Sequence, residues 1–169
     1  MPIQRLNHAV LYVSDLDRSL AFYTEILGFR VKEQVDGAAF LQAEGSSNDH
    51  DLGLFASPTP LGPSTAGRST VGLYHLAWEV DTLGSLQEVE GRLRSADALV
   101  GASDHATTKA LYGHDPDGLE FEVSWFLPPE LLTPDVLARG VTIAPLDLPA
   151  EVERYGAETL GFSASALAR

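Results

Sequence analysis

The chain has 169 residues, enough for one domain or for two small halves sharing a core. Its 24 acidic residues against 11 Lys and Arg give a formal net charge of −13. That charge opposes approach to phosphate backbones and anionic lipid, which excludes nucleic acid and membrane surfaces as natural partners. With no cysteine, disulfide scaffolds, thiolate zinc sites and Cys nucleophiles are excluded, so any metal must be held by His and carboxylate. The opening MPIQRLNH carries no basic and apolar leader, and no long apolar run follows it, so a cytoplasmic protein is expected.

In chain order, LNHAVLYVSDLDRSL (6–20) begins with the alternation of a half-buried strand and passes through a Ser-Asp cap into a helical pattern. The helix is expected over about 15–27, with Leu16, Leu20, Tyr23 and Leu27 at helical spacing and Gly28 as its stop. FRVKEQV, GAAFLQAE and HDLGLFAS then read as three short strands. The stretch 57–70, SPTPLGPSTAGRST, is a Pro, Gly, Ser and Thr linker.

After it the pattern repeats. LYHLAWEVDTLGSLQ (73–87) aligns with 6–20 without a gap, placing His75 on His8 at an offset of 75 minus 8, or 67 residues. A second helix is expected over about 82–96, followed by strands in ALVGASD, TKALYGHD and GLEFEVSW, with HDPDG (114–118) as a tight turn. The expected organisation is a first strand-helix-three-strand module at 1–56, the linker, a second module at 71–126, and an extension at 127–169 ending in a helix at about 148–160. The extension would pack on the core or on a second subunit. The fold class is α+β: two βαβββ repeats pairing into a cupped mixed sheet with helices outside.

Only five His residues are present, and a single one is more often structural than functional. The repeat changes this for His8 and His75, because equivalent positions on equivalent first strands would converge under a twofold packing. Two imidazoles meeting in a sheet need a partner for their nitrogens, and a divalent ion supplies one. In LEFEVSW, Glu120, Glu122 and Ser124 share one strand face while Phe121, Val123 and Trp125 share the other. With the apolar face toward the helices, a carboxylate joins the two His residues. The result is a two-His, one-carboxylate set of His8, His75 and one of the two same-face acids, Glu120 or Glu122.

The doubled unit, with NHAVLYVSDLDRSLAFYTEILGF at its front and LYGHDPDGLEFEVSW at its back, resembles the vicinal oxygen chelate superfamily of glyoxalase I, bleomycin-resistance proteins and type I extradiol dioxygenases. The resemblance runs to about residue 126. It implies metal ligands on the first and last strands of each unit, and His8, His75 and Glu122 fall on three of those four positions. HDLGLFAS holds no acid past Asp51, whereas glyoxalase I and many epimerase relatives supply one there. The resemblance is thus to the extradiol branch, in which the diol binds through both oxygens and O2 needs an open position.

Three more residues match that branch. His50, in HDLGLF, is similar to the His that lies over the O2 site. Tyr112, in YxxxPxGxxxE with Glu122, is similar to the Tyr that hydrogen-bonds the bound diol. His105, in SDHATT, resembles the His of a DHG-like motif with Ala106 in place of Gly. The resemblance implies an enzyme using Fe(II), or Mn(II) or another divalent ion, that cleaves an aromatic diol beside its hydroxyls with both atoms of O2. His50 would stabilise the oxygen-derived anion and donate a proton, Tyr112 would bind a substrate oxygen, and His105 would assist proton transfer. A glyoxalase-type isomerase or lyase, and a drug-sequestering protein without metal, are the alternatives. Many relatives are homodimers.

Overall fold

In the computed structural model, the described residues are 2–167 other than 4, 63, 65–68 and 70. Those seven positions, all but one within the expected linker at 57–70, together with Met1 and the last two residues of the expected extension, lie outside the description. The chain divides into two compact units, Met1–Thr65 with Asp115–Gly118, and Ala66–His114 with Leu119–Arg169. Each carries one mixed sheet.

The first unit runs β1 (Ala9–Val13), α1 (Leu16–Ala21), a π-helical turn (Phe22–Ile26), β2 (Arg30–Val35), β3 (Ala38–Gln42) and β4 (Leu52–Ala56). The strand order is β1-β4-β3-β2. β1 and β4 are parallel and the other pairs antiparallel. Alternation sends Leu11, Val13, Ala39, Leu41, Leu52 and Leu54 to one buried face, while Val10 and Phe40, register partners of Gly53, take the other. β2 is an edge strand with every residue exposed, and Arg30, Lys32 and Glu33 keep it from pairing further.

Asp15 caps α1 by accepting the Arg18 N–H at 3.0 Å. The expected single helix to residue 27 is instead an α-helix that widens into a π turn. Thr24 explains the site of the change: its hydroxyl donates to the Leu20 carbonyl at 2.8 Å and the Ala21 carbonyl at 3.3 Å, competing with the regular backbone bonds. Gly28, at φ +79°, ends the segment. The turn Asp115–Gly118 belongs to this unit through side chains. The buried Tyr23 hydroxyl donates to Asp115 at 3.1 Å, and Arg18 and the Ser14 N–H each donate to Asp117 at 2.9 Å. Burial first, and the Asp115 charge second, push the Tyr23 phenol well above its ordinary range.

The second unit runs β5 (Leu76–Glu79), α2 (Leu83–Ser95), β6 (Leu99–Asp104), β7 (Thr108–His114), β8 (Glu120–Phe126), a 3-10 turn (Pro129–Leu131), α3 (Pro134–Ala138), β9 (Ala144–Pro145), α4 (Leu148–Tyr155) and α5 (Phe162–Leu167). The order is β5-β8-β7-β6-β9, with β5 and β8 parallel. Thr82 caps α2 through the Ser85 N–H at 3.0 Å. Leu83, Leu86, Val89 and Leu93 form the helix's buried stripe, which packs against strands β6, β7 and β8.

The short strand β9 adds to β6 with the register Asp104↔Ala144, a pairing that strand patterning does not anticipate. α4 stops at Tyr155 rather than near 160, because Gly156 at φ +90° leaves the helical region. Beyond it the chain docks on the start of α2. The Ala157 carbonyl accepts the Gly84 N–H at 2.7 Å, and the Thr159 carbonyl accepts the Trp125 indole N–H at 3.1 Å. Gly84 permits that approach, since a Cβ there would lie 3.1 Å from the Ala157 oxygen. No helix among the described residues is long and apolar enough to cross a membrane.

Candidate active site

His75 directly precedes β5 and Glu122 lies on the adjacent parallel strand β8, paired with Ala77. Parity along the two strands puts both side chains on the face opposite α2, where His75 Nε2 stands 3.2 Å from Glu122 Oε2. Ser124 also donates its hydroxyl to Glu122. Tyr112 is the antiparallel register partner of Glu122. Burial first, then the Glu122 charge, push the Tyr112 phenol up to about 12. Its hydroxyl lies 2.9 Å from His105 Nε2, and His105 Nδ1 lies 2.8 Å from the Thr142 carbonyl.

His105 is held at the end of β6 by a strained turn. Ala106 has φ +66°, a left-handed conformation that costs a residue with a Cβ roughly 1–2 kcal/mol. That explains why a glycine would suit a DHG-like motif here. Two buried charges support the turn. Asp104 accepts the Ala106 N–H at 2.9 Å, and Lys109 donates to the Ala106 carbonyl at 3.3 Å. Lys109 is fully buried and pairs with Asp104 at 2.6 Å and with Glu151 of α4 at 2.8 Å, while Arg139 reaches Asp104 at 2.7 Å. Burial works against the charged form of Asp104, but the hydrogen bonds from Lys109 and Arg139 outweigh it and hold its carboxyl below the ordinary range. Sequence reasoning passed over this network. Its one local signal is a Lys placed with Leu111 on the core-facing side of TKALYGH, which only a buried ion pair makes tolerable.

In the first unit His8 directly precedes β1, as His75 precedes β5, and its ring centroid is 4.5 Å from that of His50. His50 Nδ1 is 3.0 Å from Asp49, and the Phe40 ring meets His50 edge-on at 5.1 Å. Asp51 shapes the preceding loop, accepting from the Ala43 N–H, the Ser46 hydroxyl and the Asn48 amide at 2.7–2.8 Å. The expected site residues thus fall into two groups: His75, Glu122, Tyr112 and His105 in the second unit, His8 and His50 in the first. Among the described residues no set of three or more His, Asp or Glu side chains forms a ready metal cage.

The His75–Glu122 pair has the chemistry of half a metal site. Two ligands at right angles on one ion with bonds of about 2.1 Å lie roughly 3 Å apart, close to the separation seen. Glu122 can only accept, so Nε2 carries the His75 proton in the pair as it stands, and Nδ1 is buried with no hydrogen-bond partner. An unmet buried acceptor of this kind costs about 1–3 kcal/mol.

Register also locates the first unit's counterpart of Glu122. Glu122 pairs with Ala77; subtracting the repeat offset of 67 from 77 gives Val10, and Val10 pairs with Gly53. The first unit's counterpart of Glu122 is therefore a glycine. A Cβ there would lie 3.2 Å from the Phe55 ring and 3.4 Å from Val10, which together crowd the space a side chain would take.

Two βαβ-type crossovers, each ending on a parallel pair of first and last strands, define the class, and the chain belongs to the Glyoxalase/Bleomycin resistance protein/Dioxygenase superfamily, whose model matches residues 5–123. It is 34% identical over 118 residues to the catechol-2,3-dioxygenase of Bacillus subtilis, covering 70% of this chain and 40% of that protein. It is 30% identical over 132 residues to biphenyl-2,3-diol 1,2-dioxygenase 2 of Rhodococcus globerulus, covering 76% and 67%. The chain thus spans less than half of the first relative and about two thirds of the second. A solved glyoxalase/dioxygenase from Nostoc punctiforme superposes with a TM-score of 0.59 at 22% identity, over 72% of this chain and 90% of that one, which shows the shared fold.

Proposed function

We propose that the protein is an extradiol ring-cleavage dioxygenase that takes a catechol-type aromatic diol and O2, with one divalent ion, Fe(II) or Mn(II), held by His8, His75 and Glu122. The observation that carries this reading is Gly53. An isomerase of the glyoxalase type needs a fourth protein ligand where Gly53 stands, and three ligands leave room for both diol oxygens and O2. The third ligand is assigned to His8 on its repeat equivalence to His75. The dioxygenase relatives support the same class.

A bound ion supplies Lewis acidity toward the diol oxygens and a place for O2. The protein's own groups do the rest. Tyr112, its phenol kept protonated at neutral pH, donates a hydrogen bond to a substrate oxygen. His105, on the Tyr112 hydroxyl, accepts the proton that the diol gives up on binding. His50, packed against Phe40 and His8, returns a proton to the developing anion at ring opening.

The test offers a panel of catechols with O2 to anaerobically prepared, Fe(II)-loaded protein. A yellow ring-fission product with one O2 consumed per ring is expected, and methylglyoxal with glutathione should not react. Isomerisation of the hemithioacetal without ring cleavage would replace this reading with the glyoxalase type. Absence of both activities and of bound metal would replace it with a binding protein.

A further inference from the structure

The C-terminal extension meets a residue of the site at His105. The Thr142 carbonyl, 2.8 Å from Nδ1, can only accept, so Nδ1 carries a proton. A neutral ring then has its lone pair on Nε2, 2.9 Å from the Tyr112 hydroxyl, and the phenol must be the donor in that bond. Thr142 is itself placed from two sides. Three residues before it, Arg139 is tied to Asp104 at 2.7 Å; two residues after it, Ala144 pairs with Asp104 across β9 and β6. Asp104 also holds the Ala106 N–H, so the same carboxylate orients the His105 turn and the strand that supplies the carbonyl.

We infer that residues 139–144 of the extension are a positioning device for His105, fixing it as the Nδ1–H tautomer so that the Nε2 lone pair faces the Tyr112 hydroxyl. Arg139 is the positioning residue. It lies away from the reacting groups and acts through Asp104 and the Thr142 carbonyl. The catalytic consequence rests on the dioxygenase reading above, whereas the tautomer does not.

Long-range proton–nitrogen NMR on the full chain with 15N-labelled histidine reads the tautomer directly. Zn(II) would be present in place of iron to avoid paramagnetic broadening, and His105→Gln would identify the signal. The Nδ1–H form is expected for His105 in the unaltered protein, and the Nε2–H form there overturns the inference whatever any variant does. Arg139→Met should admit the Nε2–H form and lower kcat for ring cleavage about tenfold with KM within about twofold, the scale of losing a group that orients a functional His. Arg139→Lys should restore both readouts. A folded Arg139→Met protein with unchanged tautomer and kcat would show the network to be a structural staple only. An unaltered protein with the Nδ1–H tautomer but no ring cleavage would overturn the dioxygenase reading and leave the positioning device standing.

Discussion

His75 and Glu122 face each other across two adjacent parallel strands, Nε2 to Oε2 at 3.2 Å, with the second His75 nitrogen buried and unmet. Glu120 shares the strand face of Glu122, but its carboxylate lies 3.9 Å from His114 instead. Glu122→Ala should therefore weaken metal affinity by at least about 100-fold, while Glu120→Ala changes it little. Calorimetric metal titration of both variants checks this, and equal losses would reassign the carboxylate ligand.

His8 and His50 are ring neighbours with different expected roles. His8→Ala should release the metal. His50→Ala should keep it and slow ring cleavage by roughly 100-fold or more, the scale of losing a positioned acid. Metal content and turnover measured on the same samples separate the two, and metal loss in His50→Ala would make His50 a ligand.

Lys109 pairs with two carboxylates from a fully buried position. Lys109→Met leaves Asp104 and Glu151 crowded, with Arg139 as the remaining cation on Asp104. The expected destabilisation is about 3 kcal/mol. At about 2–4 °C per kcal/mol for a chain of this size, the melting temperature should fall on the order of 10 °C. A shift under a degree would mean that the cluster relaxes into water.

Acid stability should carry the signature of Asp104. Its carboxyl titrates lower in the folded chain than in the unfolded one, because the Lys109 and Arg139 bonds outweigh burial. The contribution is therefore full above the ordinary Asp value of about 4, and is lost as the pH falls through the depressed folded value. Asp104→Asn should flatten the stability curve in that acid window. Denaturant unfolding at a series of pH values reads the difference, and parallel curves would contradict it.

Asp97 follows the α2 cap residue Ala96 with φ +53°, a left-handed position that favours glycine. Asp97→Gly should stabilise the protein by up to about 1 kcal/mol and leave metal binding unchanged. Thermal unfolding checks the sign, and a lower melting temperature would show that the Asp97 side chain contributes more than its backbone strain costs.

What could be read from the sequence was whatever repeats at short range. Alternation located strands β1 to β8, Asp15 and Thr82 announced the helix starts, and Gly28 marked a stop, because each depends on neighbours within about one turn. The 67-residue offset set His75 beside its repeat partner in sequence, and strand parity placed Glu122 on the face where His75 is found. The tertiary structure decided what depends on distant chain. The Lys109 cluster joins α4 and α3's end to β6 over 35 residues or more, β9 pairs at a separation of about 40, and the tautomer of His105 is set by a carbonyl 37 residues away. That Gly53 is the first unit's counterpart of Glu122 depends on the register of two parallel strand pairs. Local propensity carries no term for such partners, since a lone Lys, Arg or carbonyl acquires its role only when another element is packed against it.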